Sequence, residues 1–393
     1  MRDARLREGP SHLSLNICIF LSMNRFSGKV ALVHDWLVGM RGGEKLLEVL
    51  CELFPQATIF TLVHRAGSVS QSIERLPIRT SFIQHLPFGR SHYRYFLPLF
   101  PRAAEGLDVR NFDLVISSSH AAAKGARVGR GAVHVCYCHS PMRYIWDQYD
   151  QYFGPGRAPF AVRQGMNYFL AGLRRWDVET AQDVRQFIAN SRTVQDRILK
   201  IYGRESTVIY PPVDVRGFAL SPADDGYFLT VSALVPYKRI DLAIEAFNRL
   251  GKRLVIVGSG PLERSLRSLA GATIEFTGWA DDTALKRYYA GCRALVFPGV
   301  EDFGIVPVEA MACGKPVLAL AKGGALETVV DGKTGVFFDE QTPESIMDAV
   351  DRFEKMKFDG RTMRAHAEQF GKEICKSRLR SLLDSVAGVT APD

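Results

Sequence analysis

A chain of 393 residues is longer than one ordinary hydrophobic core, so two domains are the natural expectation. A hydrophobic share of 47% and a charged share of 23% exclude a disordered or fibrous chain and fit a soluble globular one. Lys and Arg number 50 against 42 Asp and Glu, a net charge of +8 that favours an anionic partner, yet no motif that reads nucleic acid accompanies it. Seven scattered cysteines, an odd number, argue against a disulfide framework and for a reducing compartment. No stretch approaches the ~20 apolar residues that span a bilayer.

In chain order, residues 1–22 have a basic start and an apolar run, Leu13 to Leu21, broken by Asn16 and followed by no small-residue cleavage site. They read as a disordered leader ahead of a fold that starts near Met23. Strand-like runs at Val30 to His34, Ala57 to Leu62, Leu114 to Ser117, Ala132 to Cys136 and Gln186 to Ala189 alternate with helical patterns. That alternation predicts a parallel α/β domain over residues 23–210. Gly42 and Gly43 open its first helix, where bare backbone N–H groups can approach a phosphate or an acceptor.

Pro87 to Arg102 interleaves basic and aromatic residues. It reads either as a surface for an anionic bilayer or lipid pyrophosphate, or as a packed helix with a buried aromatic face. Cys136-Tyr137-Cys138-His139 matches no common zinc spacing, so no metal is expected. His139 and His120 each end a strand, where a lone histidine is more often structural than not.

Pro211 to Gly226, with Pro211, Pro212, Pro222, Asp224 and Asp225, reads as an interdomain linker. Phe228 to Val231, Arg253 to Val257, Thr273 to Thr277, Ala294 to Phe297 and Pro316 to Leu320 form a second α/β series over residues 227–373. Residues 374–393 hold a final helix around Ile374 to Val386. Lys238 follows a buried strand and the turn residue Pro236, so its ammonium can reach the cleft. Gly258-Ser259-Gly260 starts like a dinucleotide fingerprint, but Glu263 replaces the third glycine, which disfavours a hydride-transfer cofactor.

The most informative stretch runs from Glu301 to Glu309. A buried strand, Ala294 to Phe297, leads into a loop with Pro298, Gly299 and Gly304, then a helix from Ile305 to Cys313 closed by Gly314 and Pro316. One carboxylate precedes the helix N-terminus and the other lies in its first turns. The amide groups between them lack intrahelical acceptors and carry the positive end of the dipole, which suits a phosphate. Carboxylates on either side can accept from sugar hydroxyls. Polyol, phosphate and polyol together describe a nucleotide sugar.

Glu301-x7-Glu309, continuing Ala310-Met311-Ala312-Cys313-Gly314-Lys315-Pro316-Val317, resembles the signature of retaining glycosyltransferases of family 4, which have the GT-B fold. The likeness extends through Val231 to Asp241, Val257 to Leu262, Phe276 to Trp279, Gly323 to Val329 and Gly332 to Gly335, with looser matches at Ala189 to Arg192 and Val208 to Asp214. It is nearest to bacterial mannosyltransferase-like enzymes of O-antigen and surface-polysaccharide assembly. The resemblance implies two facing Rossmann-like domains, the final helix over residues 374–393 packing back on the first, with a donor site made of Gly42, Gly43, Lys238, Arg239, Gly258, Gly260, Phe303, Gly304, Ile305 and Glu309. It implies Glu301, with Asp302 beside it, on the transferred sugar, His139 as the cleft histidine and Glu309 on the ribose, with His139, Glu301 and Lys238 as catalytic residues.

GDP-mannose is then the first donor, a lipid-linked saccharide the first acceptor, and the cytoplasmic face of the cell membrane the place of work, with no metal and no other cofactor. UDP-glucose or UDP-galactose as donor, a sugar-nucleotide epimerase, and a non-catalytic sugar-nucleotide-binding subunit are the alternatives. One departure stands out: the family carries an Arg five residues before Lys238, where this chain has Ala233.

Overall fold

Every strand pairing in both halves of the computed structural model, which describes residues 26–147, 149–154 and 160–388, is parallel. The leader expected over residues 1–22 lies outside the described residues. In the first half, β1 (Val30–Leu37), β2 (Thr58–His64), β3 (Ile78–Thr80), β4 (Leu114–Ser119), β5 (Val133–Cys138), β6 (Gln186–Ala189) and β7 (Ser206–Val208) lie in the order β3-β2-β1-β4-β5-β6-β7. In the second, β8 (Phe228–Val231), β9 (Leu254–Val257), β10 (Ile274–Gly278), β11 (Ala294–Phe297), β12 (Val317–Leu320) and β13 (Gly335–Phe338) lie in the order β10-β9-β8-β11-β12-β13. Each order reverses once, between β1 and β4 and between β8 and β11. Ligands of open α/β sheets bind at that crevice, beyond the carboxyl ends of the strands.

Helices cover both faces of each sheet, so successive strand residues are buried on alternate sides. Phe228, Ile256, Val296 and Leu318 enter one apolar layer of the second sheet, while Leu229, Val255, Leu295 and Val317 enter the other. The strands that the sequence reading left out are β3, β7 and β13, and all are sheet edges of three or four residues. An edge strand is paired on one side only, and so short a run carries little periodic signal.

Residues 211–226 hold a single 3-10 turn, Val215–Gly217, and Val213, Val215 and Phe218 pack into the second domain's core. The Val213 amide donates to the Phe370 carbonyl and the Lys372 amide to the Val213 carbonyl, both at 3.1 Å, so the two chain crossings between domains are zipped together. The last helix, Lys372–Gly388, returns to the first domain as expected. Cys375, Leu379 and Leu383, spaced by one helical turn, join Leu46, Leu50 and Ile188 in its core. Lys376 Nζ reaches Glu52 Oε2 at 2.7 Å from the same helix.

Candidate functional site

The two switch points face each other, and each is closed by a carboxylate. On the first sheet, Asp35 near the end of β1 is fully buried and accepts the consecutive amides of His120, Ala121, Ala122 and Ala123 at 2.6–3.0 Å. His120 Nδ1 lies 3.0 Å from the same carboxylate. Burial by itself would raise the pKa of Asp35, but the charge and hydrogen bonds of His120, with His34 behind it, hold it below the usual carboxylate range. This bracket shapes the loop after β4.

Next to it, Ser118 Oγ joins two imidazoles, His34 Nδ1 at 3.1 Å and His139 Nε2 at 2.8 Å. His34 Nε2 stands 3.5 Å from Glu44 Oε1 at the start of the helix Gly42–Leu53. Burial, then the neighbouring rings of His120 and His34, draw the pKa of His139 down to about 3, so its ring is neutral at physiological pH. A methyl group on Gly43 would stand 3.2 Å from the His34 ring and 3.6 Å from His139 Nε2. The glycine is what lets this helix start lie flat on the histidine pair. Gly42 marks the domain contact, since a methyl group there would meet Ile305 Cδ1 of the second domain at 2.9 Å.

On the second sheet, the 3-10 turn Pro236–Lys238 after β8 and the loop after β11 bring Lys238 and Glu301 together as an ion pair across the switch point. Gly304 at φ +86° starts the helix Ile305–Ala312, and Pro307 contributes no N–H, so the remaining first-turn amides are left without intrahelical acceptors. Glu309 is buried on that helix, with Oε2 accepting from the Tyr289 hydroxyl at 2.8 Å. Burial pushes its pKa up, while Lys45 and the Tyr289 hydroxyl offset part of that rise.

The remaining expected residues are placed as follows. Asp302 pairs with Arg143 and Arg197 of the first domain, the latter at 2.6 Å, so it is an interdomain contact. Phe303 of the expected donor set packs its ring inward. Its ring is buried between Tyr210 and Phe370 at centroid distances of 5.3 and 5.5 Å, and holds the loop from behind. Arg239 is in the left-handed region at φ +51° with its guanidinium on Asp241 at 3.1 Å.

Gly258 and Gly260 have backbone reasons to be glycine, because a methyl group would meet Ser232 O at 1.9 Å and Leu234 O at 2.5 Å. Cys136 and Cys138 point into the core with Phe187, and burial pushes the Cys136 thiol up to about 12. Among the described residues no group of three or more His, Cys, Asp and Glu side chains is arranged to hold a metal ion.

Sequence reasoning missed Asp35, His34, Ser118, Arg143 and Arg197. The available signals were that His34 and Asp35 follow directly on the apolar run from Val30 and that Arg143 lies four residues after His139. A cavity of about 750 Å³ opens between the domains, with Arg143, Asp147 and Arg197 on one side and Tyr237, Arg239 and Asp241 on the other.

Two family models match in tandem: Glycosyltransferase Family 4 over residues 40–216 and Glycosyl transferases group 1 over residues 215–374. A GDP-mannose-dependent alpha-(1-6)-phosphatidylinositol monomannoside mannosyltransferase of Mycolicibacterium smegmatis is 32% identical over 200 residues, 43% of this chain and 52% of that protein. A glycogen synthase of Pseudomonas aeruginosa is 38% identical over 148 residues, 34% of this chain and 28% of that one. The chain thus spans about half or less of the length of these relatives. In structure it is similar to Anabaena HepE in complex with UDP-glucose, with a TM-score of 0.68 at 20% identity over 91% of this chain and 99% of that one. The fold is GT-B.

Proposed function

Because the chain belongs to the glycosyltransferases that the family 4 and group 1 models describe, we propose that it transfers a hexose from a nucleotide sugar, with retention at the anomeric carbon, to a lipid-linked saccharide in surface-polysaccharide synthesis. The observation that carries this reading is the convergence at one helix start. Lys238 with Glu301, the first-turn amides after Gly304 and Glu309 follow in a row along the chain, and Gly42 of the first domain meets that helix start at Ile305. In that row the amides and Lys238 take the diphosphate, Glu309 the ribose hydroxyls and Glu301 the hydroxyls of the sugar.

GDP-mannose is the first donor, in keeping with the named donor of the Mycolicibacterium relative. UDP-glucose is the second reading, favoured by the ligand of the HepE structure. The bond from the anomeric carbon to the phosphate oxygen breaks, and the nucleoside diphosphate leaves with the electron pair. The acceptor oxygen bonds to that carbon on the same face, and its proton ends on the leaving phosphate. Lys238 and the helix start stabilise the charge that develops on that phosphate, so the step calls for no divalent ion. Neutral His139 lines the sugar side without adding charge.

No helix among the described residues is long and apolar enough to cross a membrane. Attachment to the cytoplasmic face of the membrane is assigned to the surface around Phe88, Arg90 and Tyr95, where the two aromatic rings are 74% and 81% exposed. The first experiment is thermal stabilisation by GDP, UDP and ADP, since a ligand at ~100 times its dissociation constant adds ~2.7 kcal/mol. NMR of the product follows. A protein stabilised by none of the three, or a β-linked product from an α-linked donor, would overturn the reading.

A further inference from the structure

Lys238 alone is little countercharge for a departing diphosphate, and it is already held by Glu301. The loop around it offers no second cation: Ala233 is exposed and uncharged, and the Arg239 guanidinium is taken by Asp241. Two guanidiniums reach the same spot from the opposite domain. Arg143 and Arg197 both bind Asp302, the residue next to Glu301. Ammonium and guanidinium are therefore held by consecutive carboxylates directly ahead of the helix Ile305–Ala312.

We infer that Arg143 is a ligand of the donor's phosphates, delivered across the cleft from the first domain. Glu301 and Asp302 hold Lys238 and Arg143, and the diphosphate takes both cations when the donor enters. This rests on the reading of the cleft as a nucleotide-sugar site. Arg197 makes the exchange feasible, because it is fixed by Asp147 at 2.8 Å and Ser140 Oγ at 3.2 Å and stays on Asp302 when Arg143 leaves. The buried Asp302 is then never stripped of its partner, which would be costly.

The two cations also act on each other. Burial and, after it, the charge of Arg143 draw the pKa of Lys238 down to about 7, so an anion placed between them relieves a repulsion already present. In the transfer step the leaving diphosphate departs with the electron pair of the broken bond, and the two cations from two domains neutralise it.

The test is calorimetric titration of the full chain with GDP and with UDP, and with guanosine and uridine as controls lacking the diphosphate. Arg143→Ala should weaken binding of the preferred diphosphate about tenfold or more while changing nucleoside binding by less than about twofold. Asp302→Asn removes that interdomain ion pair and the one with Arg197 but leaves the Arg143 guanidinium in place, so it should bind the diphosphate at least as tightly as the parent. If Arg143→Ala does not fold, Arg143→Gln, which keeps length and loses charge, takes its place.

Diphosphate binding by the charge-free variant equal to the parent's would overturn the inference and leave the site reading intact. Loss in Asp302→Asn matching that in Arg143→Ala would mean that the arginine acts only through the domain contact, and would also overturn it. A parent that binds neither diphosphate would remove the nucleotide-sugar reading itself.

Discussion

Lys45 Nζ of the first domain stands 3.9 Å from Glu309 Oε1 of the second. The lysine is two-fifths exposed, so the pair itself adds little to stability. Its meaning is positional: it faces the helix Gly42–Leu53 to a buried carboxylate whose other oxygen is fixed by Tyr289. A ligand hydroxyl entering between the domains would displace an ammonium that is weakly held.

Glu309→Gln and Lys238→Ala should each lower donor use about tenfold or more while the protein stays folded, since charge-assisted contacts to a ligand are worth ~1.5–3 kcal/mol. Glutamine is preferred to alanine at 309 because alanine would strand the buried Tyr289 hydroxyl, at ~1–3 kcal/mol of stability. Steady-state kinetics beside a melting curve separates the two effects. Turnover close to the parent's would remove these residues from the site.

Acid should unfold this protein through its buried histidines. Burial, then Lys124, draws His134 down to about 4, with Nε2 bonded to Ser117 Oγ at 2.9 Å, and His139 lies at about 3. Both are neutral when folded and take up a proton on unfolding below about 6.5. Their contribution is therefore present above that pH and is lost as pH falls toward 4. Each should add a slope of ~1.4 kcal/mol per pH unit within that window. Urea unfolding between pH 7 and 4.5 measures it, and His134→Gln should flatten the slope by one proton. A pH-independent midpoint would refute the assignment.

Gly258→Ala should be among the most damaging single changes outside the charged cluster. Its φ of +138° suits glycine, and the added methyl group would sit 1.9 Å from Ser232 O, so a loss beyond about 2 kcal/mol is expected. Gly39→Ala, with nothing within 4 Å of the new atom, is the control and should lie within about 0.5 kcal/mol of the parent. Equal stability of the two variants in denaturant titrations would contradict the packing argument.

Transfer activity should survive a chelator unchanged, because cationic side chains and helix amides supply the phosphate countercharge. Activity abolished by chelation and restored by magnesium or manganese would show that this account of the phosphate site is wrong.

Binding to anionic vesicles should weaken as salt rises, each basic residue near the surface adding ~1 kcal/mol. The stretch Pro87 to Arg102 divides its aromatics: Tyr93, Leu97 and Phe100 pack beside Trp36, while Phe88, at φ +60°, and Tyr95 face outward. Arg94 stacks 4.8 Å from the Tyr93 ring, so substituting it would disturb packing as well as charge. The cleaner variant is Phe88→Ser with Arg90→Ser and Tyr95→Ser. Vesicle co-sedimentation equal to the parent's would return this stretch to a structural role.

The loop and helix from Glu301 to Glu309 were legible because their signals are local. A buried strand, two glycines and a helix start follow one another within about twenty residues, and each has its own chain chemistry. The same holds for the alternation that gave two parallel domains, and for the final helix, whose apolar residues repeat at one turn. Phe303 shows what a local reading leaves open. It sits inside the motif, but its ring is claimed by Tyr210 and Phe370 from distant parts of the chain.

What only the tertiary structure decided is which charges meet. Asp35 finds the amides of His120 to Ala123, His139 finds His34 through Ser118, and Arg143 and Arg197 find Asp302 more than a hundred residues away. The sequence carries the residue types and the spacing within each loop. Strand order and domain closure choose the partners, because a carboxylate at a switch point is satisfied by whatever the neighbouring strand or the opposite domain brings to it. That choice appears in no periodicity, since the order β3-β2-β1-β4 sets side by side loops that the chain keeps apart.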